Sequence, residues 1–445
     1  MIEEDRHTLI RLPSGTIEKT GSGPERILSG MVSDLMAIAR SNDKALNLAR
    51  FQIGNYEFRD PDHRQILLWA AALKLEPAAV VQHLEGGYCC DHSHWELQEV
   101  GLKVEDGAIV TLAWEFSLLP LQHFEWVDGL AIRDIAFYGP ATALLSLRLP
   151  LLNRLFCSAI GITELDLSNT PAIRCLVCDD NLLTQLDLSN VPALAELNCG
   201  NNRLTTLDLS NTSALSRLDC RRNGLTELDL SYTSTLCSLD CRSNQLSELD
   251  LSNVPALVDL WCDNNRLTEF DLSSVPALAE LRCSGNEVTK LDLSNVRALS
   301  WLDCGENQLP TLNLPNVAAL TSLDCSNNLL TQLDLSNVPV LSELSCNNNQ
   351  LTALDLSNVP ALVELSCSGN QLAELNLSNV TALDDLDCSD NQLAELDLSN
   401  APALTLLFCD SNQLTELDIR LQEKLDYLKH DPSVTLKKLA TQDPK

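Results

Sequence analysis

From residue 157 onward, large apolar side chains fall into two alternating phrases that keep an unbroken register. One reads Leu-x-x-Leu-x-Cys-x-x-Asn, as at Leu194, Leu197, Cys199 and Asn202. The other reads Leu-x-x-Leu-Asp-Leu, as at Leu204, Leu207 and Leu209. Within Leu-x-Cys and Leu-x-Leu the period is two, so inward groups alternate with outward ones as on a strand. The halves span 10 and 11 residues, too few to hold a helix beside a strand and its turns. Together they close a coil of 21 residues, whose recurrence is marked by thirteen cysteines from Cys157 to Cys409. A period held over twelve intervals indicates a solenoid with rungs stacked in register. The pattern predicts two parallel strands per coil, hence two sheets face to face. Similar spacing on both sides predicts a nearly straight, slightly twisted rod, roughly 60 Å long at about 4.8 Å per rung.

The pattern weakens at both ends. Irregular half-units lead in: Ile109-Leu112-Trp114, Ile132-Ile135-Phe137 and Leu144-Leu147-Leu149. Beyond Ile419 it fades through Leu425 and Leu428 into His430-Asp431-Pro432 and a lysine-containing tail. Sheet edges at solenoid ends need covers, so both stretches are expected to cap the array. The first hundred residues carry helical signals instead. Pro24 opens a pattern with Ile27, Leu28, Met31, Val32 and Leu35. Asp60-Pro61 forms an N-cap and first-turn pair ahead of Ile66, Leu67, Trp69, Ala70 and Leu73. Glu76-Pro77 starts a short helix through Val80, Val81 and Leu84. The expected division is therefore a small α-helical domain of unknown role at 1–107, irregular leading repeats at 108–156, regular repeats at 157–419, and a cap and tail at 420–445. The helical part is expected to dock on the first rungs.

These phrases resemble the leucine-rich repeat family, and specifically the nested 21-residue bacterial class sometimes called IRREKO-type. The resemblance runs from about Ile109 to Ile419. This chain departs from the common leucine-rich pattern in placing cysteine at an inward aliphatic position and in lacking a helical outer side. The resemblance implies a bacterial protein-binding scaffold without catalytic activity.

Composition narrows the setting. The chain has 445 residues, 45% of them hydrophobic but only 4% aromatic, so its core is aliphatic. A formal net charge of −32 argues against nucleic acid or anionic membranes as partners and favours a basic partner protein or bound cations. Seventeen cysteines suggest disulfides at first sight. However, equivalent Cβ atoms on parallel rungs stand about 4.8 Å apart and point the same way, whereas a disulfide needs about 3.5–4.5 Å and suitable angles. Reduced thiols in a reducing compartment follow. The start Met-Ile-Glu-Glu-Asp-Arg-His lacks the look of a signal peptide, and there is no apolar run of membrane-spanning length. The expectation is a cytoplasmic monomer.

The candidate chemistry is thin. Asn181, Asn202, Asn223 and their equivalents hold one position in twelve units and read as turn residues bonding backbone groups. The cysteine column reads as buried apolar filler; its alternative is a thiol or metal buffer, for which a straight column offers no tetrahedral site. Cys89, Cys90, His92 and His94 form the densest ligand cluster outside the repeats, with a spacing that matches no structural zinc pattern. Cys89-x-Asp91 is similar to the nucleophile motif of bacterial ubiquitin ligases carrying leucine-rich repeats, yet no segment is long enough for their separate catalytic domain. An aspartate ladder in Leu-Asp-Leu (Asp166, Asp187, Asp208 and their successors, interrupted by Asn313 and Asn376) is expected to bond its own turns, with calcium as the alternative. All seven histidines lie outside Cys157–Cys409, and no phosphate-binding loop appears. No enzyme activity and no cofactor are expected.

Recognition must then rest on outward positions that the template leaves free. The residue before the cysteine is mostly Asp, Ser or Asn, apolar at the two ends, but Trp261 and Arg282 in the middle. Trp301, Arg217, Arg221 and Arg242 occupy neighbouring outward positions. Tryptophan and arginine are enriched where proteins bind one another, so these six are the expected partner site. A secreted, host-directed effector built on the same scaffold is the other reading the sequence leaves open.

Overall fold

The computed structural model describes residues 50–53, 55–85, 102–106, 108–115, 128–141, 144–269 and 271–439. Its body is a parallel-strand, leucine-rich repeat solenoid. One continuous open sheet starts with Lys103–Glu105, antiparallel to Ala108–Glu115, and continues in parallel through Asp134–Tyr138, Arg154–Phe156 and Cys175–Val177. Eleven three-residue strands follow, from Glu196–Asn198 to Leu406–Phe408, and Tyr427–Lys429 closes the row. From Arg154–Phe156 onward each strand pairs residue for residue with the one 21 positions on, as in Leu260↔Leu281.

The reason is the template itself. The central leucine of each strand and the cysteine after it point inward and are buried throughout, as Leu260 and Cys262 show at 0% exposure. The three leucines of the other phrase face them from the opposite side, and the valine of Ser-Asn-Val closes the core at the turn. Burying a leucine stabilises by about 2 kcal/mol, and the rung repeats this gain several times per coil.

The second half of the coil is extended as expected, but its ladder is narrower than the two-sheet expectation. Among the described residues, strand pairs form there only at the ends, Leu144–Ser146 with Glu164–Asp166 and Glu416–Asp418 with Thr435–Lys437. In between, one backbone bond per rung crosses, for example Gly224 N–H to the Leu204 carbonyl at 2.7 Å. Side chains take the other amides. Asn223 Oδ1 accepts from Leu204 N–H, and Asp208 Oδ1 accepts from Ser210 N–H, each at 2.9 Å. Amides claimed within a turn cannot run a ladder, so the two sides of the coil are not equivalent.

The turn asparagines do what their repetition implies. Asn202 Nδ2 donates to the carbonyls of Cys178, Cys199 and Gly200 at 3.0, 3.0 and 3.1 Å, tying two rungs together. A feature outside the sequence reading accompanies them: the second residue after each cysteine is left-handed, from Asn201 (φ 49) and Arg222 (φ 51) to Glu306 (φ 50). Its signal was present in the frequency of Asn, Asp, Ser and Gly there.

Two helices precede the solenoid where expected, Asp60–Leu73 and Pro77–Glu85. The first begins one residue earlier than its sequence signal implied. Arg59 holds the cap position without a side-chain cap, and Asp60 lies in the first turn beside a buried ion pair to Arg64. An antiparallel hairpin, Arg50–Ile53 with Tyr56–Arg59, stands in a region read as helical. Gly54-Asn55 between alternating apolar residues was its signal. This small unit packs on the first long strand. Trp69 meets Trp114 edge-on at 4.9 Å, and the fully buried Asp62 accepts Ile109 N–H at 3.0 Å while Arg59 neutralises it. The helical pattern after Pro24 and the Cys89, Cys90, His92, His94 cluster lie outside the described residues.

Candidate functional site

The long sheet has one outward face, made by the first and third residues of each strand and by the residue after the cysteine. Flat alternation places these positions in columns running from rung to rung. Five of the six expected site residues join in one chain of contacts there. Arg221 Nη1 lies between the carboxylates of Asp219 and Asp240, at 3.4 and 3.5 Å. Arg242 grips Asp240 with two bonds, of 2.9 and 2.6 Å. Its guanidinium carbon stands 4.9 Å from the Trp261 ring centre. Arg282 stands 5.4 Å from the Trp261 ring and 5.2 Å from that of Trp301, and its Nε bonds Glu280 at 2.7 Å. Arg217 is exposed on the same face and makes no ion pair among the described residues.

The order Arg242–Trp261–Arg282–Trp301 alternates cation and ring across successive rungs. Each such contact contributes about 0.5–1 kcal/mol at a half-exposed site, and planar guanidinium groups suit stacking where lysine would not. Rotamers held this way lose less entropy when a partner arrives. The sequence reading found the cations and rings but not the acids beneath them. Asp219 and Asp240 are nearly fully buried under arginines on the same strand face. Their signal was the pairing of residues two apart in Asp219/Arg221, Asp240/Arg242 and Glu280/Arg282.

Burial shifts these acids. Asp219 is pushed up to about 7 by desolvation, with the Asp240 charge adding and Arg221 opposing. Asp263 is pushed up to about 6 by desolvation, against the hydrogen bond from Ser284 N–H. Desolvation also raises every thiol of the inner column, with Cys409 at about 12, so the column is protonated and unreactive near neutral pH. The described cysteines are all free.

On the other side of the coil, each aspartate of Leu-Asp-Leu sits below the ordinary carboxylate range because its own turn donates to it; for Asp250 the donors are the backbone and hydroxyl of Ser252. Asn376 keeps the backbone bond, to Ser378. Asn313 precedes Pro315, which has no N–H to give. The interruptions of the ladder thus follow turn chemistry. A shallow groove runs here over Leu207, Leu228 and Leu249 between rows of carboxylates. Among the described residues no group of three potential metal ligands converges, and no helix is long and apolar enough to cross a membrane.

Comparison with known proteins places the chain among bacterial leucine-rich repeat structures. No protein-family model matches it, and no curated protein matches it by sequence. The solved functional domain of InlJ from Listeria monocytogenes, described as including a cysteine ladder, is 38% identical with a TM-score of 0.63, over 65% of this chain and 64% of that one. The chain thus spans less than two thirds of that domain. YopM from Yersinia pestis, described as a leucine-rich effector protein, is 28% identical with a TM-score of 0.56 over 65% of this chain and 86% of that one. The internalin InlF from Listeria monocytogenes, at 24% identity and TM-score 0.58 over 63% and 87%, shares the fold. This chain has a cysteine ladder of its own, thirteen buried thiols at 21-residue spacing.

Proposed function

We propose that this chain is a non-enzymatic scaffold that binds a protein partner on the outward face of its long sheet. The observation that carries the reading is the Arg242–Trp261–Arg282–Trp301 stack, held on rigid rungs and half-exposed. A surface of this kind presents flat rings and oriented donors without needing to order them on binding. The likeness to the InlJ domain and YopM supports a role in protein interaction. The test is capture: Trp261→Ala with Arg282→Ala should abolish recovery of a partner from the native host while circular dichroism and thermal melting stay close to the parent. Undiminished capture would refute the site.

The likeness to YopM, described as an effector, favours a second reading in which the same face recognises a host protein. Detection of the intact chain in culture supernatant or inside host cells, against confinement to the bacterial cytoplasm that the reduced thiols suggest, separates the two. The burial of the thiol column weighs against a thiol or metal buffer.

A further inference from the structure

We propose that the partner presents a basic, arginine-bearing extended segment, whose arginine seats on the open ring of Trp301 and whose remaining cations lie along the acidic rungs beyond it. This rests on the reading of the strand face as a binding surface and names the chemistry of what binds. The stack alternates arginine and tryptophan, and each inner member is enclosed on both sides: Trp261 by Arg242 and Arg282, Arg282 by Trp261 and Trp301. Trp301 ends the series. Arg282 occupies one side of its ring, while the ring remains 40% exposed. Its register partner on the next rung is Ser322, too short to stack, and among the described residues no second cation or ring meets it. The group that would continue the alternation is a guanidinium from outside.

The rungs on that side fix the sign of the charge. From Ser322 to Ser389 the outward positions are Asp324, Glu343, Glu364, Asp385 and Asp387 with serines and one asparagine between them. They include no lysine or arginine, and none of these acids makes an ion pair among the described residues. Glu343, Glu364 and Asp385 are direct register partners, so like charges face one another across adjacent strands. Such an arrangement destabilises the free face unless cations settle on it. Burial and the neighbouring charges of Glu364, Asp387 and Asp384 raise Asp385 above its ordinary range, which agrees with a face short of cations. On the other side of Trp301, Asp219, Asp240 and Glu280 are paired with arginines, while Asp259, Asp263 and Asp303 make no ion pair among the described residues. The face thus has a half where arginines stand among the acids and a half, from Ser322 to Ser389, where no cation does, with Trp301 at the boundary. Serines between the acids leave room for a chain to lie close.

The test uses the full chain and an alternating arginine–serine peptide, with lysine–serine and glutamate–serine versions, read by tryptophan fluorescence and calorimetry at low and high salt. The arginine peptide should bind more tightly than the lysine peptide, and the glutamate peptide should not bind. Trp301→Ala should weaken the arginine peptide roughly tenfold and remove its advantage over lysine, whereas Trp301→Phe should retain most of the binding. Glu343→Gln with Glu364→Gln should weaken both basic peptides and flatten their salt dependence. Binding of the arginine peptide that ignores Trp301 and the two glutamates, or equal binding of the glutamate peptide, overturns the inference. If Trp261→Ala with Arg282→Ala still abolishes capture of the native partner, that result leaves the binding face standing while this inference falls.

Discussion

Removing one turn asparagine, Asn328, tests whether the turn column holds the rungs together. Its Nδ2 donates to the carbonyls of Cys304, Cys325 and Ser326 at 3.0, 3.1 and 3.2 Å, and its Oδ1 accepts Leu309 N–H at 2.9 Å. In Asn328→Ala these groups fare differently. The Cys304 carbonyl keeps Asn307, the Cys325 carbonyl keeps Asn349, and the Ser326 carbonyl keeps Glu306 N–H. Leu309 N–H, buried with its residue, loses Asn328 Oδ1 as its acceptor. A buried orphan donor costs about 1–3 kcal/mol, and two or three weakened carbonyl bonds add roughly 0.5 kcal/mol each, so the expected loss is about 3 kcal/mol. Asn328→Asp turns a carboxylate toward three carbonyls and should cost about 4–5 kcal/mol at neutral pH. The double variant with Asn349→Ala orphans the Cys325 carbonyl as well, so its loss should exceed the sum of the two single losses by roughly 1 kcal/mol. Guanidinium unfolding followed by circular dichroism measures the totals, and hydrogen exchange at Leu309 should accelerate locally because each rung touches only its neighbours. A loss under about 0.5 kcal/mol for Asn328→Ala, or strict additivity in the double variant, would refute the argument.

Further outcomes follow from other parts of the coil. Native protein should show at most three fast-reacting thiols of seventeen, Cys237 together with Cys89 and Cys90, and all seventeen after denaturation; rapid reaction of the column would disprove its burial. Glu306→Gly should raise stability by about 0.5–1 kcal/mol, since glycine relieves the left-handed φ of 50° at some entropic cost. Gly369→Ala should lower it by about 1–2 kcal/mol, because a Cβ there would fall within 2.3 Å of Asn348 Oδ1. Asp219 and Asp263 have folded values of about 7 and 6, above their unfolded ones, so their stabilisation is complete below about pH 4 and is lost as pH rises through 6 to 7. The melting temperature should therefore fall between pH 5 and pH 8, and Asp219→Asn should flatten that slope; an unchanged slope would exclude Asp219 as its source.

Much of this was legible in the order of residues. A fixed spacing leaves little freedom: once Leu-x-Cys is a strand, register follows from 21, and the burial of Leu260 or Cys262 follows from register. The positions of Trp261 and Arg282 as neighbours on one face were legible for the same reason. What escaped was chemistry that competes for the same backbone groups. The second ladder failed in the middle because Asp208 and Asn223 take amides that an apolar pattern alone would assign to strands. The hairpin before Asp60 escaped because a single short turn signal was outweighed by stronger helical ones on either side. The buried acids escaped because an aspartate in an outward column reads as solvated until an arginine two residues on folds over it, as Arg242 does over Asp240.

That last point bears on how a solenoid acquires a binding face. The template determines the interior so completely that a substitution there disturbs every neighbouring rung, whereas an outward position answers only to the two rungs beside it. Cys262 is fully buried between the rungs above and below, whereas Trp261, one residue away, stays partly exposed between Arg242 and Arg282. In the Arg–Trp series each ring or guanidinium is supported by its neighbour on the adjoining rung, as Arg282 is by Trp261 and Trp301 by Arg282. A series built this way has one open end. Where its next member is missing from the chain, at Ser322, and the rungs beyond carry uncompensated acid, the simplest completion of the series is a cation that the chain does not itself supply.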